Sequence, residues 1–305
     1  MELLQQAVNG VTQGAIYALI ALGYTMVYGV LRFINFAHGD VYMLGAFAGF
    51  LAAQRLGVTK LLENGGTPTA LIVVLILLFS MAVCALIGAL IERLAYKPLR
   101  EAPRLTALIT AIGVSMLLEY GAQAISPESE SFPQLISKNA IIDTPNFRLT
   151  WEPVTIIAVA LALMLLLQWI VYKTPLGRAM RAVALDRSAA SLMGINTGAV
   201  ITFTFALGSA LAAAAGILNS VYQPQIDPLI GVNVGLKAFV AAVLGGIGSI
   251  PGAVLGGLLL GVAENAVASS PQLSPFRDSI AFAILIVVLL WKPAGIMGRY
   301  VPEKV

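Results

Sequence analysis

Apolar runs of about hydrocarbon length, separated by short polar segments, recur from one end of the chain to the other. A helix needs roughly 20 mostly apolar residues to cross a bilayer core. That length selects Ala7 to Val30, Tyr42 to Leu56, Ala70 to Ile91, Leu105 to Ile125 and Val154 to Tyr172. After a polar, basic insert come Ala199 to Tyr222, then Gly235 to Leu244 and Gly252 to Ser269 around a glycine-rich break, and last Ser279 to Trp291. Gly235 to Leu244 is too short to span. Tyr42 to Leu56 is also short, and Asn35, His38 and Asp40 precede it as a polar, partly buried extension. The pattern predicts an all-α polytopic integral membrane bundle of about eight transmembrane helices plus a discontinuous half-helix at the break.

Composition removes other classes. With 59% hydrophobic and 11% charged residues among 305, the chain is far more apolar than a soluble globular domain. The single Cys84 cannot form a disulfide within one chain and reads as a small buried hydrophobe. One His among scattered carboxylates gives no metal-ligand cluster. The N-terminal run lacks a basic n-region and is too long for a cleaved signal, so it is expected to open the first spanning helix. Residues 1–305 then read as one membrane domain, with an inner segment at 173–198 and an outer loop at 126–152.

Charge orients this domain, because Lys and Arg collect on the cytoplasmic side. If the insert is inside, strict alternation also puts inside Arg32; Arg93, Lys97, Arg100 and Arg104; Lys173, Arg178, Arg181 and Arg187; and Lys292, Arg299 and Lys304. That is 12 of the 18 basic residues. The N-terminus is then outside and the C-terminus cytoplasmic, provided that Gly235 to Ser269 enters the membrane and returns to the same face.

Within the insert, Leu185, Ala189, Leu192 and Met193 fall at helical spacing, with Arg187, Ser188 and Ser191 elsewhere around the axis. So short a helix needs a partner to stay folded. It either lies on lipid headgroups, which calls for large apolar residues, or docks into a protein cleft, which its small Ala and Ser residues favour. The loop from Ser126 to Trp151 is the one outer segment large enough to receive a partner, and is otherwise a polar connector.

Gly245, Gly246, Gly248 and Gly252 with Pro251 interrupt the late apolar pair. The break is either a discontinuous helix beside the translocation path, offering peptide dipoles to a zwitterionic substrate, or a tight turn on the inner side. Gly10 with Gly14, Gly45 with Gly49 and Gly252 with Gly256 are small-residue pairs that let helix backbones approach. Ionisable groups inside a bilayer are costly and therefore candidates for function. Glu119 and Glu264 lie well within spans, and Asn265 follows Glu264 as a hydrogen-bond or cavity partner. His38 beside Asp40 is either a proton-relay pair or a polar corner. No phosphate-loop motif, no nucleophile in a triad-like context and no soluble basic face with interleaved aromatics occurs. The chain therefore reads as neither an enzyme nor a nucleic-acid binder.

Three blocks carry a resemblance. Ser188-Ala189-Ala190 followed by Gly194 is similar to the EAA-x-x-x-G cytoplasmic loop of ABC importer permeases, with Ser188 standing where that pattern has Glu. The run from Leu176 to Gly216, the run GYTMVYGVLRFINFAHGDVYMLGAF and the run AVLGGIGSIPGAVLGGLLLG resemble the permease of branched-chain amino acid ABC importers. The resemblance covers nearly the whole chain and implies an importer of branched-chain or related hydrophobic amino acids across the inner membrane by alternating access. It further implies a second, related permease, two cytoplasmic ATPase subunits that use ATP and Mg, and a periplasmic substrate-binding protein. Arg187, Ser188, Ala189, Ala190 and Gly194 would form the coupling helix. Gly246, Gly248, Glu119, Glu264 and Asn265 are the candidate substrate-path residues. Two other readings stay open: a urea or amide permease of the same family, and an ion-gradient carrier in which Glu119, Glu264 and His38 would be the coupling groups.

Overall fold

A computed structural model describes residues 2–64, 66, 68–100, 102–144 and 147–298. Arg299 and Lys304, counted above in the charge bias, and Pro145 of the outer loop lie outside the described residues. The described chain is a helical bundle: α1 (Glu2–Leu31), α2 (His38–Arg55), the short α3 (Val58–Glu63), α4 (Ala70–Ile91), α5 (Arg104–Ile125), α6 (Trp151–Lys173), α7 (Pro175–Leu185), α8 (Arg187–Leu192), α9 (Thr197–Tyr222), α10 (Ile230–Gly245), α11 (Ile250–Ala268) and α12 (Arg277–Trp291).

Seven described helices are long and apolar enough to cross a membrane, namely α1, α4, α5, α6, α9, α11 and α12, the last with the short turn that precedes it. The shorter members are α2, whose first turns hold His38 and Asp40, and α10, whose 16 residues extend about 24 Å at 1.5 Å each. Each of the nine apolar runs thus becomes a helix. The half-helix expected at Gly235 to Leu244 begins earlier, at Ile230.

Burial follows side-chain size more than hydrophobicity. The most apolar 18-residue stretches of α1 and α9 are 78% buried, whereas those of α4, α5 and α12 are 17%, 17% and 6% buried. Lipid is as apolar as a Leu side chain, so large aliphatics gain nothing by facing inward, and close backbone approach decides what packs. Where α1 crosses α11, a Cβ on Gly14 would lie 2.8 Å from Leu258 Cα, and one on Gly261 would lie 2.3 Å from Gly14 N. The run of Ala212 to Ala215 on α9 is fully buried in the same interior.

The glycine-rich break resolves into the turn. Gly245 packs on Gly252, and Gly256 packs on Ala241, so α10 and α11 run antiparallel as a hairpin rather than as one interrupted helix. Gly246 ends α10 at φ +101, a conformation that L side chains rarely adopt. The N–H groups of Ile296 and Met297 donate to the carbonyls of Leu244 and Gly245, tying the segment after α12 to this turn. The discontinuous helix is thereby corrected.

Two features escape the apolar pattern. Residues 126–152 are not a plain connector: β1 (Glu130–Ser131) pairs with β4 (Gln225–Ile226), and β2 (Ala140–Thr144) pairs with β3 (Phe147–Thr150), both antiparallel. Phe132 and Leu135, each 3% exposed, pin this segment to the body. At the far end of α4, Glu92–Tyr96 is a π-helical turn followed by a 3-10 turn at Lys97–Leu99. Pro98 accounts for it, since a residue without an N–H cannot continue the i to i−4 ladder. The bundle therefore has two distinct ends. One carries the β strands. The other carries the end of α1, the bend after α4, α7 and α8, and the α10–α11 turn.

Candidate functional site

The basic insert folds as two helices rather than one. Thr174 caps α7 by accepting from Gly177 N–H at 3.1 Å, and Pro175 stands in its first turn. Asp186 breaks the run: its extended backbone (φ −150, ψ 110) ends α7, and its carboxylate accepts from Ala189 N–H at 2.9 Å to start α8. The stripe expected on a single helix is thus split, with Leu185 at the end of α7. Gly194 closes α8 at φ +81, its N–H donating to Ser191 carbonyl, while Ile195 N–H donates to Ala190 carbonyl. Open space surrounds Gly194.

Of the residues expected to couple, Ala190 is 4% exposed and holds α8 to the chain, whereas Ser188 and Ala189 face outward and Arg187 is half-buried. Leu185, Leu192 and Met193 are 82%, 89% and 83% exposed. Three large apolar side chains thus project from a segment outside the apolar spans. Behind them the footing is firm, because Arg181 donates to Val171 carbonyl and stacks over the Tyr172 ring at 5.5 Å, fixing α7 on α6.

The expected path residues separate. Glu264 is 0% exposed and is enclosed by this chain's own groups. Tyr17 Oη donates to it at 2.8 Å, Lys237 Nζ lies 3.2 Å away and Arg277 Nε 3.5 Å away. Lys237 also donates to Asp278 at 2.6 Å. Four helices, α1, α10, α11 and α12, therefore meet at one charge-balanced node. Asn265 does not join it; its amide donates to the Gly261 carbonyl one turn back. Gly246 and Gly248 sit in the turn at the opposite end of α11.

His38 and Asp40, each 1% exposed, form no relay pair. Residues two apart on a helix point in different directions. His38 packs edge-on against Tyr24 of α1, and Asp40 turns to α5, where the Ser115 hydroxyl donates to it and Glu119 is a neighbouring acidic group. Half-buried Glu119 thus lies near a second carboxyl group. A third polar cluster lies at the bend after α4, where buried Glu92 accepts from Arg100 and from the Thr202 hydroxyl of α9. Nearby, Tyr96 Oη donates to Asn35 at 2.6 Å. Sequence reasoning missed Tyr17, Ser115, Glu92 and Lys237 as members of these clusters. Only Lys237 left a signal, as a lone cation within an apolar run.

Comparison with known proteins adds a family to this geometry. The family model described as "Branched-chain amino acid transport system / permease component" matches residues 6–289. The chain is 45% identical to the high-affinity branched-chain amino acid transport system permease protein LivH of Salmonella typhimurium, covering 99% of this chain and 97% of that one. It is 44% identical to the high-affinity branched-chain amino acid transport system permease protein BraD of Pseudomonas aeruginosa, covering 99% and 98%. A probable branched-chain amino acid transport permease protein LivH of Methanocaldococcus jannaschii shares 29% over 92% of this chain and 88% of its own length.

Proposed function

The chain belongs to the permease-component family of branched-chain amino acid transport systems, and from that premise we propose that it is the transmembrane subunit of an ATP-driven importer. The substrates are branched-chain or related hydrophobic amino acids, moved across the inner membrane by alternating access. One observation carries the division of labour. Leu192 and Met193 project from a capped, anchored helix at one end of the bundle, with none of the described residues covering them. An apolar knob on a rigid footing is suited to a cleft in another protein, and it transmits a push because α7 is fastened to α6.

The partners follow from this reading. Two cytoplasmic ATPases, using ATP and Mg, receive the knobs of this permease and of a second, related one, and a periplasmic binding protein delivers substrate to the end carrying the β strands. Residues 1–305 act as one transmembrane domain with its N-terminus outside and its C-terminus inside. Lys and Arg collect at the α7–α8 end, which supports that orientation. Among the path candidates, Glu119 with Asp40 suits a role beside the substrate, because α5 is thinly covered and its one carboxyl group, Glu119, lies near Asp40 of α2. Glu264 is assigned to the interior node instead, its carboxylate being engaged by Tyr17, Lys237 and Arg277.

The test is Ala189→Asp with Gly194→Val, each assayed in the assembled complex. Normal membrane insertion with ATP hydrolysis no longer linked to leucine uptake is expected. Wild-type uptake by both variants at normal expression would remove α8 from the mechanism.

A further inference from the structure

Four spanning helices, α4, α5, α6 and α12, leave most of their surface open, and three of them are alike. The open sides of α4, α6 and α12 are built mainly of large apolar residues, such as Leu78 and Phe79, Leu161 and Leu165, and Ile286 and Leu290. The one glycine among these three helices, Gly88 of α4, is buried. Lipid tails are as apolar as such side chains and cover them without further provision.

The open side of α5 is made differently. Exposed Ile109, Ile112, Met116, Leu117 and Tyr120 recur at helical spacing, and exposed Gly113 and Gly121 lie among them. No described atom stands within 4 Å of where a Cβ on either glycine would lie. Every glycine of α2, α10 and α11 has another part of the chain in that place. A glycine inside a helix is destabilising relative to alanine, and in a bilayer the notch it leaves is useful where a second helix comes close. Independently, polar groups gather along one border of this face: Ser115 donates to Asp40, and Glu119 lies near the same carboxyl group. Ionisable groups within a bilayer face a bundle interior or a watery cavity rather than lipid. Within its own chain α5 packs chiefly on α2 and the bend after α4, which leaves this face without a partner among the described residues.

We propose that the open face of α5 seats a transmembrane helix of the second, related permease, with Gly113 and Gly121 as the points of closest approach. The apolar residues suit neither water nor a soluble partner, the notches and the bordering carboxyl groups do not suit lipid, and ATPases and a binding protein act outside the bilayer. A helix of another membrane subunit meets all of these conditions. The carboxyl groups then choose between subunits. A second copy of this chain, turned about an axis along the membrane normal, would bring Glu119 beside its own equivalent at the same depth, placing like charges together. A related permease without an acid at that level avoids the repulsion. The Asp40–Glu119 pair thus stands at the seam between two different subunits. The face is read from this chain alone; its occupant rests on the permease reading above.

Photo-crosslinking in native membranes, with all importer subunits expressed together, tests this. A photoreactive phenylalanine analogue replaces Tyr120 or, as a matched control, Phe79 on the open side of α4; both rings are exposed. Position 120 is expected to join a permease of this family with a different sequence, identified by mass spectrometry, and position 79 to give lipid adducts alone. Gly113→Leu, which fills a notch, should cut recovery of that second permease with the tagged chain about ten-fold, the scale of overpacking a fitted contact. The thermal transition of the isolated chain should not fall, because no described atom opposes the added side chain. This variant serves alone if the photoreactive ones do not assemble. Lipid adducts alone from position 120, equal protein adducts from both positions, or full recovery with Gly113→Leu overturns the face. An adduct between two differently tagged copies of this chain overturns the choice of partner. Leucine uptake by the wild-type assembly checks the permease reading separately. Uptake with lipid adducts alone removes only this surface, whereas an adduct to a second permease without leucine uptake removes the transport reading and leaves the surface.

Discussion

The node around Glu264 and the knob at α8 break the same rule in opposite directions. One puts charge in the apolar interior; the other puts Leu192 and Met193 out in the open. Their difference lies in where the compensating partner sits. Glu264 finds Tyr17, Lys237 and Arg277 within its own chain, so its energetics are closed inside the subunit. Leu185, Leu192 and Met193 have no such cover among the described residues; on the coupling proposal, another protein supplies it. A misplaced residue with internal partners should matter for stability, and one without them should matter for assembly.

Glu264→Ala is the strongest test of the first half. Removing one member leaves Lys237 buried and under-compensated, at a cost of about 3–5 kcal/mol. The variant is expected to lose its folded, monodisperse form in detergent, which thermal unfolding in mild detergent would measure. Glu264→Leu combined with Lys237→Met, which replaces the pair by apolar groups of similar size, should recover much of the loss. If the single variant is as stable as wild type, the node is not a structural tie.

Gly194→Val probes the turn that closes α8. A β-branched residue at φ +81 costs about 1–3 kcal/mol, and no contact opposes the added side chain, so the strain falls on the end of α8 alone. Asp186→Ala is expected to cost about 1 kcal/mol through loss of the Ala189 cap. In both variants hydrogen exchange should rise at Ala189 to Met193 and stay unchanged at the node. A rise spread over α10 to α12 would join the two regions into one cooperative unit and dissolve the comparison.

How much of this the sequence disclosed follows from the ranges of the forces involved. Seven of the nine apolar runs were legible because bilayer thickness imposes one length on every spanning helix, and a signal repeated seven times survives local noise. Gly10 and Gly14 were legible as packing residues, though not the Val262 and Leu258 backbone that they respectively face, since Leu258 is 244 positions away from Gly14. The same distance hid the node: Glu264 stood out as a buried charge, but nothing local reveals that Lys237 and Tyr17 converge on it. The strands at residues 130–150 and 225–226 were hidden for another reason, because two to five residues give periodicity too little length to show. At the knob the residue types and their spacing were readable. The division at Asp186 was not, because an Asp within a helical pattern is as much an exposed side chain as a cap until its backbone is seen.

The finest discrimination comes from the substitution with the smallest effect on the fold. Leu192 is 89% exposed and ends α8, so Leu192→Asp removes almost no internal contact. Its stability should stay within about 0.5 kcal/mol of wild type, the usual range for surface changes. A carboxylate in place of the projecting Leu would nonetheless have to be desolvated in any apolar cleft that receives the knob, without a partner designed for it. Co-purification of the ATPase subunits and leucine uptake should therefore fall at least ten-fold while the thermal transition of the isolated permease is unmoved. A fall in both together would mean that Leu192 is held by its own chain, as Glu264 is. Unchanged values for both would mean that the knob meets only water.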